Sequence, residues 1–360
     1  MFTHDSRRSG AARPLLGALA VVTAAATLGG VPQAAAAQPA PAAAHSPVAH
    51  PFDAEGHRGT RGLRPENTLP AFEKALQTGV TTLEMDTAIT KDGAVVVTHE
   101  PAVTPQLCQD TAPAFPGDPA FPYVGKNIHD LTLAEVKTLD CGTRRPADPS
   151  KDEFVRTQQP VPGTRMPTLD EVFGLAEKDH ADGVRFDVET KIDPTQPAQT
   201  AGPEEFTQRV TDVIRRHRAV HRTTLESFDW RTLELAERRV PQLRRSALFD
   251  ASTSQLGKPG PSPWLGGVDA DDYRGDLAAA ARAAVHAQVL APDSSLVTPQ
   301  MVASAHSRGM GVLPWTPEEP AEMNHLIDTG VDGIITDYPD RLRQVMADRG
   351  MPLPMAYPAA

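Results

Sequence analysis

The chain has 360 residues, 22% charged and 40% hydrophobic, with 46 Asp and Glu against 35 Lys and Arg for a formal charge of −11. That balance leaves no basic face to displace phosphate counterions, which argues against a nucleic-acid partner. Two cysteines rule out a disulfide-scaffold protein or a thiolate zinc site.

Residues 1–37 read as a secretory signal peptide. Arg7, Arg8 and Arg13 make a positive n-region, an apolar stretch runs from Leu15 to about Leu28, and small residues fill the segment between Ala34 and Gln38. The apolar run is shorter than the ~20 residues a membrane span needs. The sequence therefore predicts export with cleavage, a secreted product and no stable membrane anchor. Ser9-Gly10-Ala11 stands where twin-arginine export expects bulky apolar residues, which leaves the export route open. Residues 38–52, rich in Ala and Pro, read as a flexible spacer. In an exported protein Cys108 and Cys141, the only cysteines, are expected to form a disulfide. A loop of that length gains about 3–4 kcal/mol in the chain-entropy treatment.

From residue 53 short apolar runs alternate with amphipathic ones. Strands are expected at Ala54–His57, Thr81–Asp86, Ala94–Thr98, Val184–Glu189, Thr223–Ser227, Ser246–Phe249, Gln288–Ala291, Gly311–Trp315 and Gly333–Thr336. Helices are expected at Leu69–Thr78, Leu169–Lys178, Pro203–His217, Trp230–Arg239, Pro299–Ser307 and Glu318–Asp328. Thr68 and Gly79 bracket the first helix as caps, and Thr168 with Glu171 forms a capping box. Such alternation means βα units on a parallel sheet. With Ala94–Thr98 set aside as a local hairpin, eight strands remain, which predicts a TIM (β/α)8 barrel over residues 53–348. The rhythm breaks at about 101–165, an inserted subdomain after the second strand, and again at 250–285.

In a barrel the C-terminal strand ends meet on one face, where barrel enzymes keep their chemistry. His57 and Arg58, Glu84 and Asp86, His99, Glu189 and Lys191, and Trp315 all fall at such ends. The i, i+2 spacing of Glu84 and Asp86 puts both carboxylates on one face of a strand. With Glu189 they make three oxygen donors suited to one hard divalent ion, Ca2+ or Mg2+. His57 and His99 suit proton transfer near neutral pH. Arg58 and Lys191 add positive charge that a purely acidic cage does not need, which points to an anionic, phosphoryl substrate.

The run His57-Arg58-Gly59, Pro65-Glu66-Asn67-Thr68, Glu84-Met85-Asp86, Lys91-Asp92-Gly93 and His99 resembles the glycerophosphodiester phosphodiesterases. The resemblance continues through Pro167-Thr168-Leu169, Glu189-Thr190-Lys191, Ser227-Phe228, Trp315-Thr316 and Gly330 to Pro339, in the family's order. It implies a barrel with a small insertion, a divalent ion on Glu84, Asp86 and Glu189, and general acid–base catalysis by His57 and His99. It further implies phosphate contacts from Arg58 and Lys191, Trp315 walling the substrate pocket, and Glu66 either near the metal or holding Arg58. The substrate is then a small glycerophosphodiester, cleaved to glycerol 3-phosphate and an alcohol, by a monomer or simple homo-oligomer. Two departures stand out: Glu100 replaces the usual Asp after the second histidine, and the strand before Glu189 carries Asp187, which needs a partner. A related barrel acting on intact or lyso-phospholipid is the alternative, with Phe115, Phe121 and Tyr123 of the insertion as an apolar rim. A barrel that only binds phosphate compounds or a cell-wall polymer is a third reading, against which the intact His57 and His99 weigh.

Overall fold

A computed structural model describes residues 51–359. The expected signal peptide and all but the last two residues of the spacer lie outside the described residues. Among those described, no helix is long and apolar enough to cross a membrane.

Eight parallel strands form the barrel: β1 (Asp53–Gly56), β2 (Thr82–Ile89), then, after the hairpin strand β3 (Val95–Val97), β4 (Arg185–Thr190), β5 (Thr223–Ser227), β6 (Arg244–Phe249), β7 (Val289–Pro292), β8 (Gly311–Val312) and β9 (Gly333–Thr336). Their order is β8-β7-β6-β5-β4-β2-β1-β9, and β3 pairs antiparallel with β2. Closure between β8 and β9 runs through the Asp332 N–H to the Val312 carbonyl (3.0 Å) and the Ile335 N–H to the Pro314 carbonyl (3.0 Å). The sequence predicted a five-residue strand at Gly311–Trp315. Regular pairing ends at Val312 because Pro314 has no N–H to donate, and Trp315 continues only as single bridges to Asp293 and Ile335.

Strand alternation explains the composition. Leu83 and Met85 of β2 and Phe186 and Val188 of β4 join the main core against the helices, while Glu84, Asp86, Asp187 and Glu189 point into the barrel. The interior is thus polar on the side of β1, β2, β4 and β5. Across from it, Val289, Leu313 and Ile335 make a small apolar cluster with Trp315 packed on it.

Helix Leu69–Thr78 starts where the Thr68 hydroxyl accepts the Ala71 N–H and stops at Gly79, whose φ is +87°. Helix Leu277–Val285 occupies part of the stretch expected to be irregular, and helix Pro339–Asp348, which the sequence pattern did not single out, follows β9 and packs beside β1. The segment 101–165 contributes no barrel strand. Its residues build a second core, in which Ala88 and Val96 from the β2–β3 hairpin meet Val103, Ile128, Leu131 and Val136 around the Cys108–Cys141 disulfide. Tyr123 is fully buried there with Phe121 edge-on at 5.3 Å, so of the three aromatics weighed as a lipid-facing rim only Phe115 is exposed.

Candidate active site

The loop after β1 sets the geometry. Arg58 adopts a left-handed backbone with φ +49°, and Gly59 follows at φ +82°. A Cβ on Gly59 would lie 2.7 Å from the Ala71 carbonyl carbon, so only glycine lets this loop touch the first helix. The turn aims the Arg58 N–H at Glu84, whose Oε2 accepts it at 2.6 Å.

Glu84, Asp86 and Glu189 are buried and each offers a carboxylate oxygen, all within 4.8 Å of one another. Register makes this so: Glu84 lies beside Asp187 and Asp86 beside Glu189 across β2 and β4. Asp86 is held by the Asn67 amide at 2.8 Å and by Arg58 Nε at 3.2 Å. Lys191 Nζ sits 3.0 Å from Glu189 and 3.6 Å from Asp86.

The charges do not balance. Burial, joined by the Asp86 charge, pushes the Glu84 carboxyl well above the usual carboxylate range. Burial likewise lifts Glu189 to about 7, with Lys191 opposing and Asp86 adding. Asp86 goes the other way: burial works against it, but Arg58, His99 and Lys191 hold it well below its ordinary value. Two of three converging acids are therefore short of positive charge. An all-oxygen donor set in that condition fits a hard divalent cation.

Two imidazoles flank the acids, each on its own carboxylate. His57 Nδ1 lies 2.6 Å from Asp337 Oδ1, while its Nε2 accepts from Arg58 Nε at 3.3 Å and stands 3.9 Å from Glu84. His99 Nδ1 lies 2.8 Å from Glu100 Oε1. Burial lowers the pKa of both rings; Asp337 opposes this at His57, whereas Lys191 and Arg58 reinforce it at His99. Asp337 itself is held at about 2, because His57 and Arg61 outweigh its burial.

Glu66 lies outside the three-acid group. Its two oxygens accept from Arg58 Nη1 at 2.6 Å and Arg61 Nε at 2.8 Å. Arg61 in turn reaches Asp337 at 3.2 Å, so one network of Glu66, Arg58, Arg61 and Asp337 fixes both the guanidinium and His57. Trp315 stands at the mouth, its indole N–H donated to the Ala291 carbonyl at 3.0 Å. The insertion reaches the site too, since Leu107 and Arg144 share a cavity wall with His99 and Glu66.

All the residues expected at the site except the disulfide pair thus gather at the barrel mouth or directly behind it. Sequence reasoning assigned no role to Asp337, Asn67, Arg61 or Glu100. Asn67 and Asp337 stand inside the quoted runs, and Glu100 showed as a departure; its longer side chain reaches back to the neighbouring imidazole. Asp187 is buried without a partner at Oδ1, and Glu55 and Glu226 each have a similarly unpaired oxygen beside it in the barrel.

Residues 57–341 match the family model of the glycerophosphoryl diester phosphodiesterases. The chain belongs to that family. It is a phosphoric diester hydrolase acting on glycerophosphodiesters. A glycerophosphodiester phosphodiesterase of Caldanaerobacter subterraneus subsp. tengcongensis is 26% identical over 295 residues, covering 82% of this chain and 97% of the relative. A solved structure from Silicibacter pomeroyi assigned to the same family superposes with a TM-score of 0.69 at 32% identity, covering 84% of this chain and 96% of the other. An Oleispira antarctica phosphodiesterase, solved with its product sn-glycerol 3-phosphate, shares the fold with a TM-score of 0.58 at 22% identity, covering 81% and 96%.

Proposed function

We propose that this phosphodiesterase uses one divalent cation on Glu84, Asp86 and Glu189, with His57 and His99 as its proton-transfer pair, to release glycerol 3-phosphate and a head-group alcohol. The observation that carries the reading is the convergence of three buried, under-neutralised carboxylates with two imidazoles, each oriented by its own carboxylate. The sn-glycerol 3-phosphate bound to the Oleispira relative supports the product assignment.

A divalent ion held by Glu84, Asp86 and Glu189 would supply positive charge to the phosphoryl group, and Ca2+ and Mg2+ both suit an all-oxygen set. Arg58 and Lys191, both kept protonated by the neighbouring acids, hold the phosphate and face the charge that grows on it. Burial keeps both rings neutral in the resting protein. One imidazole takes the proton from the attacking hydroxyl. The other takes up a proton from solvent as the anionic phosphate binds beside it, and gives that proton to the departing alcohol oxygen as its bond to phosphorus breaks. With the glycerol hydroxyl as nucleophile, the first product is a five-membered cyclic phosphate that water opens, and the intramolecular step gains from high effective molarity. Asp337 and Glu100 hold the two rings in place through Nδ1.

We further infer that residues 1–37 direct export as a cleavable signal, leaving 38–52 as a spacer before the 53–348 barrel. The Cys108–Cys141 bond supports this, since disulfides persist in oxidising compartments.

The test of the pair is substitution. His57→Ala and His99→Ala are each expected to lower glycerophosphocholine turnover about a hundredfold or more. Variants within twofold of the parent would remove the pair from the mechanism.

A further inference from the structure

Across the mouth from the insertion stand three aromatic side chains from three separate elements. Phe228 follows β5, Trp264 lies in the long connection between β6 and helix Leu277–Val285, and Trp315 follows β8. The Phe228 ring is 6.3 Å from Trp264 and 5.5 Å from Trp315, with interplanar angles of 79° and 80°. All three are half-buried. Neither Phe228 nor Trp264 joins any of the hydrophobic clusters of the described residues, so core packing does not explain them.

The connection is built to present Trp264. Its carbonyl accepts the Trp230 N–H at 2.9 Å and its N–H reaches the buried Ser262 hydroxyl at 3.2 Å. Ser262 in turn donates to the Thr253 carbonyl at 2.6 Å. The indole of Trp315 is likewise pinned by Ala291.

The aromatic wall begins one side chain from the acids. Lys191 Nζ is 3.0 Å from Glu189 and also 5.6 Å from the centroid of Phe228, over its ring. A phosphate held by Lys191 beside a cation on the three acids has this wall as its neighbour, so an ester arm directed to that side meets Phe228 first. Aromatic faces present a negative quadrupole that attracts cations, tryptophan most strongly. A quaternary ammonium gains most, because it is bulky, permanently charged and donates no hydrogen bonds.

We propose that Phe228, Trp264 and Trp315 form a head-group subsite that favours glycerophosphodiesters whose alcohol bears a quaternary ammonium. This rests on the hydrolytic reading above and names the substrate class within it. An acyl chain would need the apolar surface to continue. The exposed large hydrophobics of the described residues are instead Phe115, Val155, Leu256, Leu353 and Met355, none of them in the wall.

The experiment compares kcat/KM for glycerophosphocholine and glycerophosphoglycerol in the full chain and in Trp264→Ala, Trp264→Leu and Trp264→Phe. The choline-to-glycerol ratio is expected to fall about tenfold in the Ala and Leu variants and to recover most of the loss in the Phe variant. An unchanged ratio overturns the proposal, as does a Leu variant that matches Phe, which would mean apolar area rather than a π face. Loss confined to lysophosphatidylglycerol relative to glycerophosphoglycerol would assign the wall to an acyl chain and also overturn it. Should the parent hydrolyse neither diester, the hydrolytic reading fails by itself. Calorimetric titration with the two diesters then decides the subsite: tighter binding of the choline diester, abolished by Trp264→Ala, supports it, and equal binding refutes it.

Discussion

Glu66 is the residue on which the site's architecture leans most, and Glu66→Gln tests that. Its carboxyl is about 5% exposed and bridges Arg58 and Arg61. Burial raises its pKa, yet the two guanidiniums win and hold it at about 2 against an ordinary 4.5. That gap corresponds to about 3 kcal/mol of stabilisation at neutral pH, at about 1.4 kcal/mol per pH unit. Because the folded value lies below the unfolded one, the contribution is complete above pH 4.5 and is lost as pH falls through about 2. Urea unfolding of the parent and Glu66→Gln should therefore differ by about 3 kcal/mol at pH 7 and by about 2 kcal/mol at pH 3.5. The glutamine keeps the shape but leaves one accepting oxygen where there were two, so the comparison removes the charge together with one of the two guanidinium hydrogen bonds. A difference under about 1 kcal/mol at pH 7, or one that does not shrink with acid, would show that the Arg58–Glu66–Arg61 network is not what holds this loop.

The three-acid site makes its own pH prediction. Glu189 sits at about 7 without a cation, so below that pH an incoming ion must displace its proton. Glu84 is raised as well and gives up a proton too, so the apparent affinity of the metal-free protein for Ca2+ or Mg2+ should weaken by at least about tenfold per pH unit below 7, read by titration calorimetry. A pH-independent affinity between 5.5 and 7 would contradict this. Deeper in the barrel, burial and the neighbouring Asp187 and Glu84 raise Glu226 well above its ordinary value. A folded pKa above the unfolded one gives stability that is present at low pH and lost as pH rises through the folded value. Glu226→Gln should therefore raise the thermal midpoint of metal-free protein more at pH 8 than at pH 5; an equal or opposite change would show that the carboxylate has a partner in solution.

Local pattern carried most of the fold and part of the site. Strands Thr223–Ser227 and Gly333–Thr336 and helix Leu69–Thr78 stand where alternation, Thr68 and Gly79 put them, because each is bounded by residues whose chemistry is local. Helix Leu277–Val285 escaped because its sequence, Leu-Ala-Ala-Ala-Ala-Arg-Ala-Ala-Val, has too little polar contrast to show a face. The Glu84–Asp86 pair was legible from two-residue spacing. The partners that orient the imidazoles were not equally so. Glu100 is adjacent to His99, but its role depends on a side chain folding back, and Asp337 lies 280 residues from His57 and meets it only when β9 closes beside β1. The polar strand Arg185–Thr190 looked anomalous in sequence and is ordinary once its inner face is seen to line a polar barrel interior.

The central claim is that buried carboxylates and a divalent ion act together on a glycerophosphodiester. Release of glycerol 3-phosphate from glycerophosphocholine, before and after chelation with EDTA and then with Ca2+ or Mg2+ restored, tests it most directly. The account predicts turnover that chelation abolishes and one of the two ions restores, with Glu84→Gln defective under every condition. Undiminished turnover after exhaustive chelation, or full activity in Glu84→Gln, would contradict it.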